Sequence, residues 1–162
     1  MTSKPQGGFI TLGSAITTPD MEYVQLSDLL NTDEYPQVIT SDLRPAQVTG
    51  IEYQGVQLTT IVVSESGAGI SGTADHKVML AKPVENGVTL EHASLSSIEV
   101  GDRVFNLRDV REDENGDFLM DFHTPAVETV RPAGLEEVYA ITVDRKVDGI
   151  LINGLVSLQW DA

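Results

Sequence analysis

The sequence predicts an all-β fold in one compact domain, on three observations. Short runs rich in β-branched residues alternate with turn-forming residues along the chain, as is typical of strands joined by tight turns. Few windows show the 3.6-residue apolar spacing of a helix longer than two turns. The chain has 162 residues, 41% of them hydrophobic, which is enough to bury one sizeable core.

The N-terminal third is expected to contain short strands and one helical turn. Residues 9–25 alternate weakly about a turn at Pro19-Asp20, and Leu26 to Leu30 fits a single helical turn. The β-branched run from Val38 to Thr40 predicts a short strand. Two further strands are expected on either side of a turn at Gln54-Gly55.

The rest of the chain is expected to consist of hairpins. Residues 66–69, "SGAG", predict a turn, and Asn86-Gly87 is the strongest short hairpin signal in the sequence. Gly101-Asp102 and Asn115-Gly116 predict two more turns between apolar arms.

An internal repeat is also visible. Five residues of one segment match five of a later segment in type, each pair 79 residues apart. The pairs are Val48 and Val127, Ile51 and Val130, Gly55 and Gly134, Val56 and Leu135, and Val62 and Ile141. If they reflect a duplication, two similar β units related by a pseudo-two-fold axis share one core.

Charge and composition narrow the function classes. The net charge of −15 would repel nucleic-acid phosphates and anionic membranes, so neither is an expected partner. No apolar run is long enough to span a bilayer, and the start "MTSKPQGG" lacks the apolar segment of a signal peptide. We therefore expect a protein made in the cytoplasm. The absence of cysteine excludes disulfides and a thiol nucleophile.

No metal, cofactor or small-molecule substrate is expected. His76 could join Asp75, His92 and His123 in a metal site, but the spacings are irregular. Residues 113–117, "DENGD", have the acidic look of a calcium loop but lack its continuation to a bidentate Glu. A solvated hairpin tip fits this segment better.

Four segments in a fixed order carry a family resemblance. They are "FITLGSAITTPDMEYVQLSDL" from residue 9, "GTADHKVML" from 72, "SLSSIEVGDRVFNL" from 94 and "EEVYAITVDRKVDGILINGLVSLQ" from 136. Together they resemble the blocks of the Hint domain, the fold shared by inteins and the autoprocessing part of hedgehog proteins. No segment is long enough for the homing endonuclease of larger inteins, so the resemblance is to a mini-intein.

The resemblance implies a set of chemical roles. In that family a Cys, Ser or Thr at the first position attacks the preceding carbonyl in an acyl shift. A Thr-x-x-His block activates that peptide bond, and an Asp follows in a "V-Y-D" strand. A penultimate His and a terminal Asn then release the downstream chain to a final nucleophile.

Most of these roles have no matching residue here. The first position falls on Phe9, the Asp on Ala140, and the penultimate His on Leu158. The terminal Asn falls on Gln159, which can cyclise more slowly, and the last nucleophile on Trp160.

Only the Thr-x-x-His block is retained. Thr73 and His76 are therefore the residual candidate catalytic residues. The alternative is that they pack in a strand-to-turn corner, with the histidine hydrogen-bonded to a backbone group. Ser14 could be the first residue instead of Phe9, but the opening strand would then be too short. Asn153, before Gly154, matches the "N-G" that precedes the ending rather than the ending itself.

These considerations predict one Hint-like domain, with flanks at 1–8 and 160–162 and a core at 9–159. Its expected function is that of a structural or interaction module that no longer splices, with protein partners such as those of a bacteriophage virion. The alternative is a splicing mini-intein captured as an inactivated precursor with short exteins. A third possibility is a lectin-like or other β-binding module unrelated to Hint.

Overall fold

The structure is a computed structural model that describes residues 9–158. This part of the chain is built from antiparallel strands, with one four-residue helix, α1 (Leu26–Leu29), and a short 3-10 helix (Leu95–Ser97). The strands are β1 Ile10–Thr11, β2 Ala15–Thr17, β3 Tyr23–Gln25, β4 Gln37–Ile39, β5 Pro45–Ser64, β6 Gly69–Thr73, β7 Lys77–Val84, β8 Gly87–Ser94, β9 Asn106–Glu112, β10 Phe118–His123, β11 Val127–Val143, β12 Gly149–Ile152 and β13 Leu155–Leu158.

The strands form two curled sheets, and the predicted all-β class is confirmed. The first sheet has the order β11-β1-β6-β5-β4, with β11 also paired to β5. The second has the order β10-β9-β13-β12-β2-β3, and β7 joins it by pairing with β13 and β8. Strands near the two ends of the chain, β1 and β13, are thus interior strands of the two sheets.

One expected turn is wrong. The strand β5 runs unbroken through Gln54-Gly55, where two strands joined by a turn were predicted. Gly55 does have a positive φ of 91°, and its partner strand has Gly134 at 81°. These glycines lie beside irregularities in the β5–β11 register, so they bend a continuous ladder instead of reversing the chain.

The β5–β11 ladder has the predicted pseudo-two-fold arrangement. Ile51 pairs with Ile141, and Val62 pairs with Val130. A shift of 79 residues takes Ile51 to Val130 and Val62 to Ile141. Exchange of the two strands therefore reproduces the same pairing, as a two-fold axis across the ladder requires.

Local predictions elsewhere are confirmed. The helical turn forms at α1 because Leu26 and Leu29 lie on one side and are both buried. The Asn86-Gly87 signal marks the β7–β8 hairpin, in which Val84 pairs with Gly87. No helix in the part of the chain that the structure describes is long and apolar enough to cross a membrane.

The core lies between the two sheets. Its largest cluster takes aliphatic side chains from most strands of both sheets. The fully buried members with large side chains include Ile10, Ile16, Ile70, Leu80, Ile141, Ile150 and Ile152. Burial consequently fixes the strands next to the residues that the resemblance singles out. Phe9 precedes β1, Thr73 ends β6, Ala140 lies in β11 and Leu158 ends β13.

Candidate functional site

Phe9 and Thr73 are joined by two hydrogen bonds. The backbone nitrogen of Phe9 donates to the Thr73 hydroxyl at 3.0 Å, and the backbone nitrogen of Thr73 donates to the Phe9 carbonyl at 2.9 Å. Gly72 makes this approach possible, because a Cβ at that position would overlap the Phe9 carbonyl oxygen. The polypeptide entering β1 is thus held against the end of β6 by both its backbone polar groups.

His76 lies in the tight turn that follows β6. Its backbone nitrogen donates to the Thr73 carbonyl at 3.0 Å, which closes the Thr-x-x-His segment into one turn. The imidazole is fully buried, and its Nε2 lies 2.6 Å from the hydroxyl of Ser157, which is also fully buried. Which of the two atoms donates depends on the tautomer of the imidazole.

Ser157 was not anticipated from the sequence. It stands in β13, whose four residues are all buried, so its hydroxyl needs a partner inside the protein. A single polar residue in the apolar run "LVSL" was the available signal. Its register with β7, opposite Val78, places it next to His76.

Ala140 and Leu158 each lie next to one part of the Phe9–His76 region. Ile10 of β1 pairs with Tyr139 of β11, so Ala140, the next residue, lies beside the start of β1; it is 2% exposed. Leu158 pairs with Lys77, the residue after His76, and is also buried. Burial, together with the charge of nearby Glu137, raises the pKa of the neighbouring Tyr139 phenol.

Among the described residues at the positions that the resemblance singles out, two have side chains with a polar group, Thr73 and His76. Thr73 and His76 supply a hydrogen-bond acceptor and a group able to carry a proton, whereas Phe9, Ala140 and Leu158 offer only hydrocarbon side chains. Gln159 lies outside the described residues. An acyl transfer needs an attacking heteroatom as well as proton transfer, and Phe9 supplies none from its side chain.

Ser14, the alternative candidate for the first position, lies elsewhere than Phe9. Ser14 is buried in the turn between β1 and β2, where its hydroxyl donates to the carbonyl of Ser71 at 3.4 Å. Phe9, not Ser14, meets the Thr73 hydroxyl. Asn153 lies in the β12–β13 turn and donates from Nδ2 to the Gly69 carbonyl at 2.7 Å, so it pins a turn within the fold.

The histidines do not converge. His123 Nε2 lies 2.9 Å from Asn106 Oδ1, at the edge of a cavity of about 480 Å³ beside the turn at residues 66–69. His92 is exposed on β8, opposite Met79. Among residues 9–158 no group of three or more His, Asp or Glu side chains is placed to hold a metal ion.

Comparison with known proteins identifies the fold. No sequence family and no curated protein matches this chain. Among solved structures, a variant of the Ssp DnaB mini-intein matches with a TM-score of 0.70 at 18% identity, covering 100% of this chain and 99% of that one. A DnaB intein from Synechocystis gives 0.67 at 18% identity, covering 95% and 99%. The DnaX mini-intein from Spirulina platensis gives 0.66 at 19% identity, covering 91% and 96%.

These matches define the class of protein. The described chain has the Hint fold, as the four sequence segments predicted. The structural match extends over nearly the whole length of the chain. Within that class it is most simply described as a mini-intein-like Hint fold. The identities among such matches are 13% to 19%, so the matches establish the architecture, and the activity has to be argued from the site.

Proposed function

We propose that this protein is a Hint-fold domain that does not splice and that serves as a structural or interaction module. The observation that carries the proposal is the contact between Phe9 and Thr73. The Thr73 hydroxyl holds the backbone nitrogen of Phe9 at 3.0 Å, where the resemblance implies the first reactive residue. The side chain at that position has no atom that can attack a carbonyl.

Two of the positions expected to complete the reaction, Ala140 and Leu158, have hydrocarbon side chains. Ala140 and Leu158 are buried in the fold, and burial of an apolar side chain stabilises it by about 0.8 kcal/mol for each CH₂ group. Replacing a carboxylate and an imidazole by alanine and leucine therefore removes a desolvation penalty. These substitutions favour stability of the fold over reactivity.

The geometry of the ends supports a scaffold role. Phe9 is bound to Thr73, and Leu158 pairs with Lys77, so both ends of the described core contact the same short segment. A domain with adjacent ends holds whatever is attached to them side by side. Its charge of −15 favours protein partners with basic surfaces.

The proposed setting is a bacteriophage virion. Quantitative mass spectrometry of purified particles tests this setting. A fixed copy number that survives extensive washing supports it, and a protein absent from the particle contradicts it.

A second candidate is a splicing mini-intein captured as an inactive precursor. The retained contact of Thr73 with Phe9 favours it, because the hydroxyl of the Thr-x-x-His segment still holds the backbone of the first residue, and His76 of that segment is bound to Thr73 through its backbone nitrogen.

Restoring the missing groups separates the two candidates. The combined variant Phe9→Ser, Leu158→His, Gln159→Asn and Trp160→Ser is compared with the same variant carrying His76→Ala. We expect intact mass spectrometry to find both uncleaved. Cleaved or ligated product from the first variant, abolished in the second, would establish the splicing alternative.

A further inference from the structure

An exposed apolar surface lies at the middle of the β5–β11 ladder. Leu58 and Leu135 are directly opposite each other across the two strands, so their side chains leave the same face. Val56 precedes Leu58 by two residues and shares this face. Leu58 is 70% exposed, Leu135 is 69% exposed and Val56 is 54% exposed.

This stretch of ladder has two strands and no third. On β5, pairing with β6 begins at Thr59, and pairing with β4 ends at Gln47. On β11, the pairing with β1 reaches only to Val138. Within residues 9–158 the ribbon at 54–58 and 135–137 therefore has no further strand beside it.

The ribbon is amphipathic. Gln57 and Glu136 are paired with each other and leave the face opposite to Leu58 and Leu135. Apolar side chains on one face and polar ones on the other are typical of a strand pair whose apolar face is covered. The exposure of the leucines shows that no described part of the chain covers it.

The surface is continuous with the core. Tyr53 is 55% exposed, and its ring lies 5.5 Å from that of the buried Tyr139, centroid to centroid. Val56 and Leu135 are 79 residues apart, so they are equivalent positions about the pseudo-two-fold axis. We define the ribbon patch as Tyr53, Val56, Leu58 and Leu135.

A carboxylate lies at the edge of the ribbon patch. Glu137 is opposite Val56 on the apolar face, where its carboxylate accepts a hydrogen bond from the Tyr139 hydroxyl. Glu52 and Glu136 leave the other face of the same ribbon and add to its negative charge. The Lys or Arg nearest in sequence, Arg131, stands four residues before Leu135. The ribbon patch is therefore an apolar surface on an acidic ribbon.

We propose that the ribbon patch is the docking surface of the module for a protein partner that presents an apolar contact bordered by Lys or Arg. This proposal rests on the proposed function and names the surface through which it acts. Apolar side chains of this kind form the centre of protein interfaces, and complementary charge at the rim selects the partner.

Charge argues against the other occupants. A second copy placed across the patch would bring two chains that each carry a net charge of −15 together, which is repulsive at close range. An anionic lipid surface would be repelled in the same way. A basic protein surface would instead be attracted by the negative charge of the chain.

The probe for the test is a fluorescein-labelled peptide of alternating Leu and Lys, which is apolar on one face and basic on the other when extended. Fluorescence anisotropy measures its binding to the full-length chain and to the Leu58→Ser/Leu135→Ser variant. The matched control is Leu90→Ser, because Leu90 is also an exposed leucine on a strand, β8. A peptide of alternating Leu and Glu controls for charge.

We expect the double variant to bind the Leu–Lys peptide at least about tenfold more weakly than the unmodified chain, and Leu90→Ser to bind within about twofold of it. We also expect binding to weaken as salt rises and the Leu–Glu peptide not to bind. Equal affinity of the double variant and the unmodified chain would overturn the proposal. A dimer in sedimentation velocity that the double variant lacks would also overturn it, in favour of a second copy.

The same samples distinguish this failure from that of the proposed function. Intact mass spectrometry reports whether the chain has processed itself. Absent or patch-independent binding by an intact chain refutes the ribbon patch alone, whereas self-processed fragments refute the non-splicing module.

Discussion

The Thr73 hydroxyl accepts a hydrogen bond from the backbone nitrogen of Phe9 at 3.0 Å, across 64 residues of sequence. A side chain that reaches a specific backbone amide over that separation is positioned by the whole fold. The hydrogen bond fixes the start of β1, and its contribution to stability is measurable.

Removing the Thr73 hydroxyl is expected to loosen the entry to β1. Thr73→Val leaves the partly buried Phe9 amide without its partner, which costs about 1–2 kcal/mol in the free energy of unfolding. Urea denaturation measures the loss, and hydrogen exchange should show faster exchange at the Phe9 amide. Thr73→Ser keeps a hydroxyl, so it should retain most of the stability and most of the protection of the Phe9 amide. Thr89→Val, at an exposed position on β8, is the control and should change neither by a measurable amount.

A methyl group at Gly72 is expected to separate β1 from β6. In Gly72→Ala the new Cβ would overlap the Phe9 carbonyl oxygen, which is backbone and cannot rotate away. We expect a loss of about 1–3 kcal/mol, typical of overpacking. Gly13→Ala is the matched control, because its Cβ would meet nothing within 4 Å. Equal stability of the two variants in thermal denaturation would contradict the close approach of Phe9 to β6.

The buried Ser157 hydroxyl is expected to stabilise the fold through His76. Ser157→Ala removes the hydroxyl that lies 2.6 Å from Nε2 of the buried His76, and we expect a loss of about 1–3 kcal/mol in the free energy of unfolding. Chemical denaturation of Ser157→Ala beside Ser96→Ala, whose side chain is exposed, measures it. If Ser157→Ala matched the unmodified chain in stability, the hydrogen bond would have no structural role.

The ion pair of Asp42 and Arg145 is expected to make stability depend on pH under acid conditions. Hydrogen bonding from the Arg145 guanidinium, at 2.8 Å, lowers the pKa of the Asp42 carboxyl to about 2 from 3.8. Because the folded value is the lower one, this contribution is fully present above about pH 4 and is lost as the pH falls toward 2. It should be modest, since both side chains are partly exposed.

The measurement is the difference in urea midpoint between the unmodified chain and Asp42→Asn from pH 2 to 6. The difference should shrink as the pH falls. Arg145→Met removes the largest cause of the shift, and the hydrogen bonds from the Thr40 hydroxyl and the Arg44 backbone remain. Adding Asp42→Asn to it should therefore produce a smaller difference that depends less on pH. A difference that stayed constant with pH would show that Asp42 is not stabilised as a carboxylate by this pair.

Local signals in the sequence predicted most of the elements. Asn86-Gly87 marks a hairpin in the local sequence, and the hairpin forms one residue earlier than that dipeptide would place it. Its two turn residues are Glu85 and Asn86, and Gly87 begins β8 with a φ of 141°. Gln54-Gly55 was misread for a physical reason. A glycine with positive φ serves equally in a turn and in a bulge, and the choice depends on the partner strand β11, which is distant in sequence.

The candidate site was only partly predictable. The spacing of Thr73 and His76 is local, so the sequence shows it directly. Ser157 becomes the partner of His76 only when β13 pairs with β7, a contact between residues 81 apart in sequence. The ribbon patch likewise requires the register that sets Leu58 opposite Leu135. Neither pairing can be predicted from the residues that are close together in the sequence.

The most direct test of the account is the mass of the unmodified polypeptide over time. The full-length chain is purified and incubated for several days near neutral pH, with and without an added thiol, and its intact mass is followed. A Hint fold that presents Phe9 to Thr73 without a nucleophile should remain a single species with the mass of the complete chain. Fragments broken before Phe9 or after Gln159, or a ligated product lacking residues 9–159, would contradict it.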